Sequence, residues 1–508
     1  MLFNSYIFIL LFFPLCLVGY FLINKIESII AGRSGTKINH IASNIFLLTM
    51  SLWFYGYFNV KYLFIIIASI VINYLSSRAI IYYKKENDNL SKFFTVLAIL
   101  INIAIIFYYK YYDFFITNIN AVIKTNFNLK HLILPLGISF FTFQQISFIA
   151  DSYASNNDDI KNYNFIEYAL FVSFFPQLVA GPIVLHSELI PQFRDESKKK
   201  FSNENFNLGL YVFAIGLFKK MVIADTIGSS VDFAFKNIAS LTSLESAFAI
   251  LLYTLQIYFD FSGYSDMARG LAKMLNIDII PNFNSPYKAV NILDFWNRWH
   301  ISLTRFLKTY IYIPLGGSRS GIIRTYLNIM IVFAVSGLWH GANWTFVLWG
   351  IMHGILNVIT RMIVGRKKEF KLTPLNFPSF IFTFIFVCVA FCIFRADTVS
   401  DGFLMIKNIF AGKFYFDPSN MEFLKALNRS ETDYILRKIP VIYNFIMDNP
   451  QWYMYIFTFL TLMITFFFNN MNDEKPRASI LRSVITAGLL VYCIMKMSGL
   501  SIFLYFNF

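Results

Sequence analysis

Apolar residues run through this chain in long blocks separated by short polar or basic stretches. The first block, MLFNSYIFILLFFPLCLVGYFLI, has neither a basic head nor a small-residue cleavage site, so it reads as a retained first span. The blocks at 41–57, 62–83, 93–109 and 132–150 follow. Each approaches the roughly 20 residues that one bilayer crossing needs. The block at 165–185 contains FFPQLVAGPI, where Pro176, Gly181 and Pro182 interrupt any helix. A broken or re-entrant segment is expected there, because unpaired backbone is tolerated at that depth only inside protein or beside water. Further blocks lie at 208–227, 247–261, 322–339, 344–364, 380–394, 452–468 and 480–497. The pattern predicts an all-α, polytopic integral membrane protein with about 11–13 membrane segments, several broken or re-entrant. A single membrane domain is expected over 1–508, with spans in 1–131, a core at about 135–365 and further spans in 380–508.

Polar groups inside such blocks need internal partners or a wet cavity, and Gln144, Gln145 and Asp151 are of this kind. Asp260 and Asp266 fall where a span meets polar chain. Composition agrees with the pattern: 57% of the 508 residues are hydrophobic and 14% charged, whereas soluble domains run near a quarter charged. The net charge of +14 comes from Lys and Arg that flank apolar blocks, as cytoplasmic loops do. Lys25, Arg33 and Lys37 after the first span place the N-terminus outside. The lysines at 198–200, the basic stretch 269–324 and Arg366, Lys367 and Lys368 mark further inner loops, and 397–451 is expected outside. A basic inner face suits anionic membrane lipids or a phosphorylated cofactor, and nucleic acid is not an expected partner. Cys16, Cys388, Cys392 and Cys493 all lie in apolar blocks, which is packing and neither a disulfide framework nor a zinc pattern.

Candidate chemistry concentrates in 294–344, which opens with FWNRWHISLTRFLKTYIYIPLGG and closes with SGLWHGANW. Asn291 can cap a helix there, with Asp294 near its positive end. At 100° per residue Trp296, His300, Leu303 and Leu307 share an apolar face, and Arg298, Ser302, Arg305 and Thr309 share the opposite one. His300 is therefore expected to point inward, as a core histidine or as part of a site. His340 interrupts an apolar run just before a glycine and Asn343, and an ionisable group at such depth faces an interior cavity. Imidazole titrates near neutrality, so it can take a hydroxyl proton and return it. Two histidines in broken, polar-lined segments point to one site. His353 is read as structural, and His40, His131 and His186, near segment ends, as interfacial. No carboxylate or thiolate cluster accompanies any of them, so no metal is expected.

Several stretches together resemble the membrane-bound O-acyltransferase family, in its bacterial alginate and peptidoglycan O-acetyltransferase branch: GISFFTFQQISFIADSY, FFPQLVAGPI, FDFSGYSDMARG, NFNSPYKAVNILDFWNRWHISL with YIPLGG, SGLWHGANW, FRA at 394–396 and the terminal YFNF. The resemblance spans nearly the whole chain and implies membrane segments around a central funnel or tunnel. It also implies acyl transfer from a cytoplasmic thioester, acetyl-CoA, to a hydroxyl. The family's WHG histidine falls on His340 and its RWH histidine on His300. Relatives often carry Arg-Asp where this chain has Lys308 and Thr309, so no role passes to Thr309. Arg298, Arg305 and Lys308 form a cationic rim suited to the donor's phosphates, although topology alone accounts for most of that charge. Trp339, Asn343, Asp260 and Gln144 are expected to complete the substrate site. The resemblance further implies a bacterial inner-membrane location, an extracytoplasmic glycan acceptor and a separate partner acetyltransferase of the SGNH type. The competing readings are D-alanyl transfer to teichoic acid, which shares both histidine motifs, and a non-enzymatic transporter or flippase, which needs no thioester.

Overall fold

The computed structural model describes residues 1–34, 40–154, 160, 162–365, 370–371, 373–425, 427, 437–470, 479–497 and 503–504. Lys37, Arg366, Lys367, Lys368 and the terminal YFNF lie outside these residues. Every regular element among the described residues is helical. Among the described residues eight helices are long and apolar enough to cross a membrane, including Val60–Glu86, Ser243–Met274, Ile322–His340 and Trp344–Val364, and Ile41–Gly56 is a shorter apolar helix. This is the polytopic all-α architecture expected from the hydropathy pattern.

The chain forms two compact units. The first comprises 1–215, 264–281 and 475–506, and the second 216–263, 282–474 and 507–508. Several polar groups buried in the first unit pair with one another, as a hydrocarbon surrounding demands. Asn73 and Asn102 exchange side-chain amide bonds between Val60–Glu86 and Asp88–Ile106 (2.6 and 3.2 Å). Gln145 donates to Ser69 Oγ (2.9 Å) and accepts from the Tyr168 hydroxyl (3.3 Å). The segment at 165–185 is broken as expected. Phe165–Ser173 ends at Phe174, whose ψ of 109° is not helical, and the single turn Phe175–Leu178 follows with proline at its start. His40 and His186, expected at an interface, are instead buried. His186 pairs through Nε2 with Asp151 (3.0 Å) inside a cage of Phe148, Tyr163 and Phe171. The sequence hides this because the two partners stand 35 residues apart.

In the second unit Ile322–His340 and Trp344–Val364 form a tight antiparallel hairpin. Gly337 lies against the Phe346 carbonyl oxygen and Gly350 against that of Phe333, so closely that a β-carbon at either would fall on it. Small residues allow this approach, which in a membrane takes the place of hydrophobic driving force. The seam fixes the depth and rotation of the turn that carries His340.

Candidate active site

The helix capped by Asn291 begins as predicted, with the Asn291 side chain accepting from the Asp294 amide (3.0 Å). It stops at Arg298. Trp299 is extended, His300 takes the left-handed conformation (φ 45°), and a second helix runs over Ile301–Leu307. The wheel drawn above assumes one continuous helix, so it misplaces Ser302, which is buried and not on a polar face. It remains right for Trp296, His300, Leu303 and Leu307, all buried. A non-glycine residue at positive φ costs of order 1–2 kcal/mol and persists only where its surroundings hold it. The segment 282–284 holds this one. Asn284 N–H donates to Arg298 O (2.9 Å) and Ile301 N–H to Asn282 O (3.0 Å), one on each side of the break.

The Asn282 side chain also fixes the imidazole. Its Oδ1 accepts from the Ser302 amide (3.1 Å) and hydroxyl (2.9 Å) and lies 3.2 Å from His300 Nδ1. A backbone N–H can only donate, so the atom facing it is the carbonyl oxygen and not the amide nitrogen. That oxygen can only accept, so His300 Nδ1 carries the proton and Nε2 the lone pair. Asn282 went unrecognised in the sequence because nothing periodic links it to His300, 18 residues on.

His340 is the last residue of its helix and is buried. The turn behind it needs Gly341, since a β-carbon there would strike the Phe346 ring. Asn343 builds the same turn. It caps Trp344–Val364 by accepting from the Thr345 amide (3.1 Å) and donates to Asp397 O (2.9 Å). The two imidazole centroids lie 6.5 Å apart. Trp339 borders both, at 5.9 Å from His300 and 5.0 Å from His340. Phe261 closes over His300 (4.7 Å), and Trp349 and Phe394 over His340 (5.0 and 5.3 Å). Of these, Phe394 belongs to the FRA stretch and Phe261 to the FDFSGYSDMARG stretch noted in the sequence, where neither was singled out as a site residue. His353 packs as a structural residue, accepting at Nδ1 from the Trp296 indole (3.3 Å).

The other expected site residues divide. Arg298 is held by Asp294 (2.8 Å) and also donates to Asn284 O. Asp260 is buried in an ion pair with Lys220 (2.6 Å), which also meets Asp225 (2.8 Å). Gln144 belongs to the first unit, where it faces Val184 O (3.5 Å). Arg305 is half-buried on Ile301–Leu307 and Lys308 is exposed just beyond it.

Lys308 lines a cavity of about 840 Å³ within the second unit, together with Thr304, Tyr312, Ser336 and Arg361. Thr304 Oγ1, Tyr312 Oη, Ser336 Oγ and Arg361 Nε are buried and have no hydrogen-bond partner. Such groups are costly unless something supplies partners. The cavity-facing stripe of Ile322–His340 runs through Ile329, Phe333 and Ser336, and His340 continues it about 6 Å further on. Thr304 stands one turn beyond His300. Neither imidazole lines the cavity itself: each lies one helical turn along the chain from a lining residue, His340 from Ser336 and His300 from Thr304.

A multi-pass helical membrane protein that buries two imidazoles 6.5 Å apart has an architecture suited to an intramembrane transferase. The chain belongs to the membrane-bound O-acyltransferase family, whose sequence profile matches residues 47–397. It is 37% identical to a peptidoglycan O-acetyltransferase of Helicobacter pylori, in an alignment covering all of this chain and 98% of that protein. It is 35% identical to a probable alginate O-acetylase of Pseudomonas aeruginosa, over 81% of this chain and 75% of that one. A teichoic acid D-alanyltransferase of Bacillus subtilis is 27% identical over 52% of this chain and 69% of its own length. The protein is therefore a membrane-embedded acyltransferase.

Proposed function

We propose that the protein takes acetyl from cytoplasmic acetyl-CoA and delivers it for O-acetylation of an extracytoplasmic polysaccharide, peptidoglycan or an alginate-like glycan, with a separate SGNH-type acetyltransferase completing the transfer. The observation that carries this reading is the pairing of the buried His300 and His340 at 6.5 Å, each one turn of chain from a residue that lines the cavity. That cavity has the size of a small-molecule site. Its orphaned hydroxyls and the cations of Lys308 and Arg361 offer bonds that a phosphorylated, amide-bearing thioester can fill. In the transfer His340 removes the proton of the acceptor hydroxyl, whose oxygen attacks the thioester carbonyl. The tetrahedral intermediate collapses with cleavage of the carbon–sulfur bond, and the departing thiolate takes the proton back from His340. His300, whose Nε2 presents a lone pair, relays protons in this exchange. Acetyl in preference to D-alanyl transfer rests on the O-acetyltransferase relatives, which match more of this chain at higher identity. A bacterial inner-membrane location with the N-terminus outside belongs to the same reading.

The test is a transfer assay on purified protein with radiolabelled acetyl-CoA, supplying the partner acetyltransferase or a hydroxyl acceptor. H340A should lose at least a hundredfold in rate while eluting and melting like the wild type, since base removal alone costs about 10²–10⁴. Unchanged transfer by H340A would refute the assignment, and activity only with a D-alanyl thioester would move the donor.

A further inference from the structure

A second cavity, of about 820 Å³, lies wholly in the first unit and has no part in the chemistry above. One wall is a single face of the first helix, Phe13–Ser34. Leu17, Phe21, Asn24, Lys25 and Ser28 fall at helical spacing along it. The stripe is about 16 Å long and changes character on the way, apolar at Leu17, Phe21 and Leu22 and polar from Asn24 onward. Lys199, Lys200 and His40 complete the polar end, with Glu196 as the one lining carboxylate. Three lysines against one glutamate leave that end cationic. Glu27, nearby, is engaged with the backbone amides of Ala42 and Ser43 (2.8 and 3.3 Å).

Three buried groups at this end show that it is built to meet something. Asn24 and His40 are 3% and 4% exposed, and Asn24 Oδ1 and both His40 ring nitrogens have no hydrogen-bond partner. Lys199 is 5% exposed, and among the described residues its ammonium hydrogen-bonds to the Tyr20 hydroxyl and Asn44 Oδ1, each at 3.3 Å, and lies over the Tyr20 ring. Burial pushes the Lys199 ammonium down to about 8, against the pull of Glu27, Asp195 and Glu167. A buried cation with weak neutral partners and a donor-bearing imidazole beside it call for an anion. The apolar wall leading away from them calls for a hydrocarbon chain attached to that anion.

We propose that this cavity is a binding site for one anionic glycerophospholipid of the inner leaflet, its phosphate between Lys25, Lys199, Lys200 and His40 and an acyl chain along Leu17, Phe21 and Leu22. A neutral zwitterionic lipid satisfies the same wall but carries a cation into a cationic mouth. Charge therefore sets the preference.

The test is native mass spectrometry of the full protein in detergent with equimolar phosphatidylglycerol and phosphatidylcholine of identical chains. Retained phosphatidylglycerol should exceed phosphatidylcholine at least tenfold. The double variant K25Q/K200Q, changed at exposed positions, should lower that ratio at least fivefold with unaltered gel filtration. V18W, which fills the wall, should remove both adducts. Equal retention of the two lipids, or a preference that survives both variants, would overturn the proposal. Displacement of the lipid by chainless glycerol phosphate at equal concentration would also overturn it, in favour of a free-phosphate site. Every readout is lipid retention, so the outcome is independent of acetyl transfer.

Discussion

His300 sits in a left-handed conformation because three chain segments agree on it, and Asn282 is the residue through which they agree. Its carbonyl oxygen serves Ser302 twice and His300 once. N282A should leave a buried Ser302 amide unpaired, at about 1–3 kcal/mol, and free the ring to rotate. A fall of more than tenfold in kcat with little change in KM for the thioester is expected. N282D keeps the acceptor and adds a negative charge, which favours imidazolium. The Nε2 lone pair then appears only at higher pH, so the acidic limb of the rate profile should move upward and activity should partly return on its alkaline side. A variant pair with identical pH profiles would show that Asn282 only holds the fold. His340 was legible in the sequence because it broke an apolar run, and His300 because it fell on the apolar face of a basic amphipathic segment. Asn282 was not, since a side chain that bonds backbone 20 residues away leaves no periodic trace. The inward direction of His300 was read correctly from a wheel that fails two positions later, at Ser302.

At the level of elements, hydropathy located the helices and missed what joins them. The hairpin of Ile322–His340 and Trp344–Val364 depends on the absence of β-carbons at Gly337 and Gly350, a property of the facing surface that one strand of sequence does not display. G350A should therefore destabilise by roughly 1–3 kcal/mol through overpacking against the Phe333 carbonyl, and should lower transfer by displacing the turn at His340. Gly488 supplies the contrast. A β-carbon there meets nothing within 4 Å, and the position lies inside the helix Ile480–Lys496. G488A should raise stability by up to about 1 kcal/mol, because alanine is the better helix former. Melting temperatures in one detergent should thus move in opposite directions for the same chemical change. A shared direction would mean that the glycine seam does not set the hairpin. The break at 298–301 was equally hidden, for Arg298, Trp299 and Ile301 have no helix-breaking character and the interruption comes from the tertiary grip of 282–284.

For the molecule as a whole, the proposed orientation rests on charge and on one set of bonds within the second unit. The start of Ser243–Met274 is tied to the stretch 413–420. Ser243 N–H donates to Lys413 O (3.0 Å), Thr242 Oγ1–H to Tyr415 O (2.6 Å), and Asn420 Nδ2–H to Glu245 Oε2 (2.8 Å). That helix has 32 residues, about 48 Å at 1.5 Å each, so its two ends emerge on opposite faces of a bilayer. Its far end carries Arg269 and Lys273, which the positive-inside rule assigns to the cytoplasm. With the orientation of the proposed function, the stretch 413–420 is expected outside, on the side of the proposed glycan acceptor and partner acetyltransferase. The four native cysteines are all buried, so single introduced cysteines can be labelled against a silent background. In spheroplasts a membrane-impermeant maleimide should label K413C at once and E204C, just after the lysines at 198–200, only after permeabilisation. Both positions are exposed. The reverse pattern would invert the topology, placing the basic loops outside and removing the cytoplasmic thioester from the reach of Lys308 and Arg361.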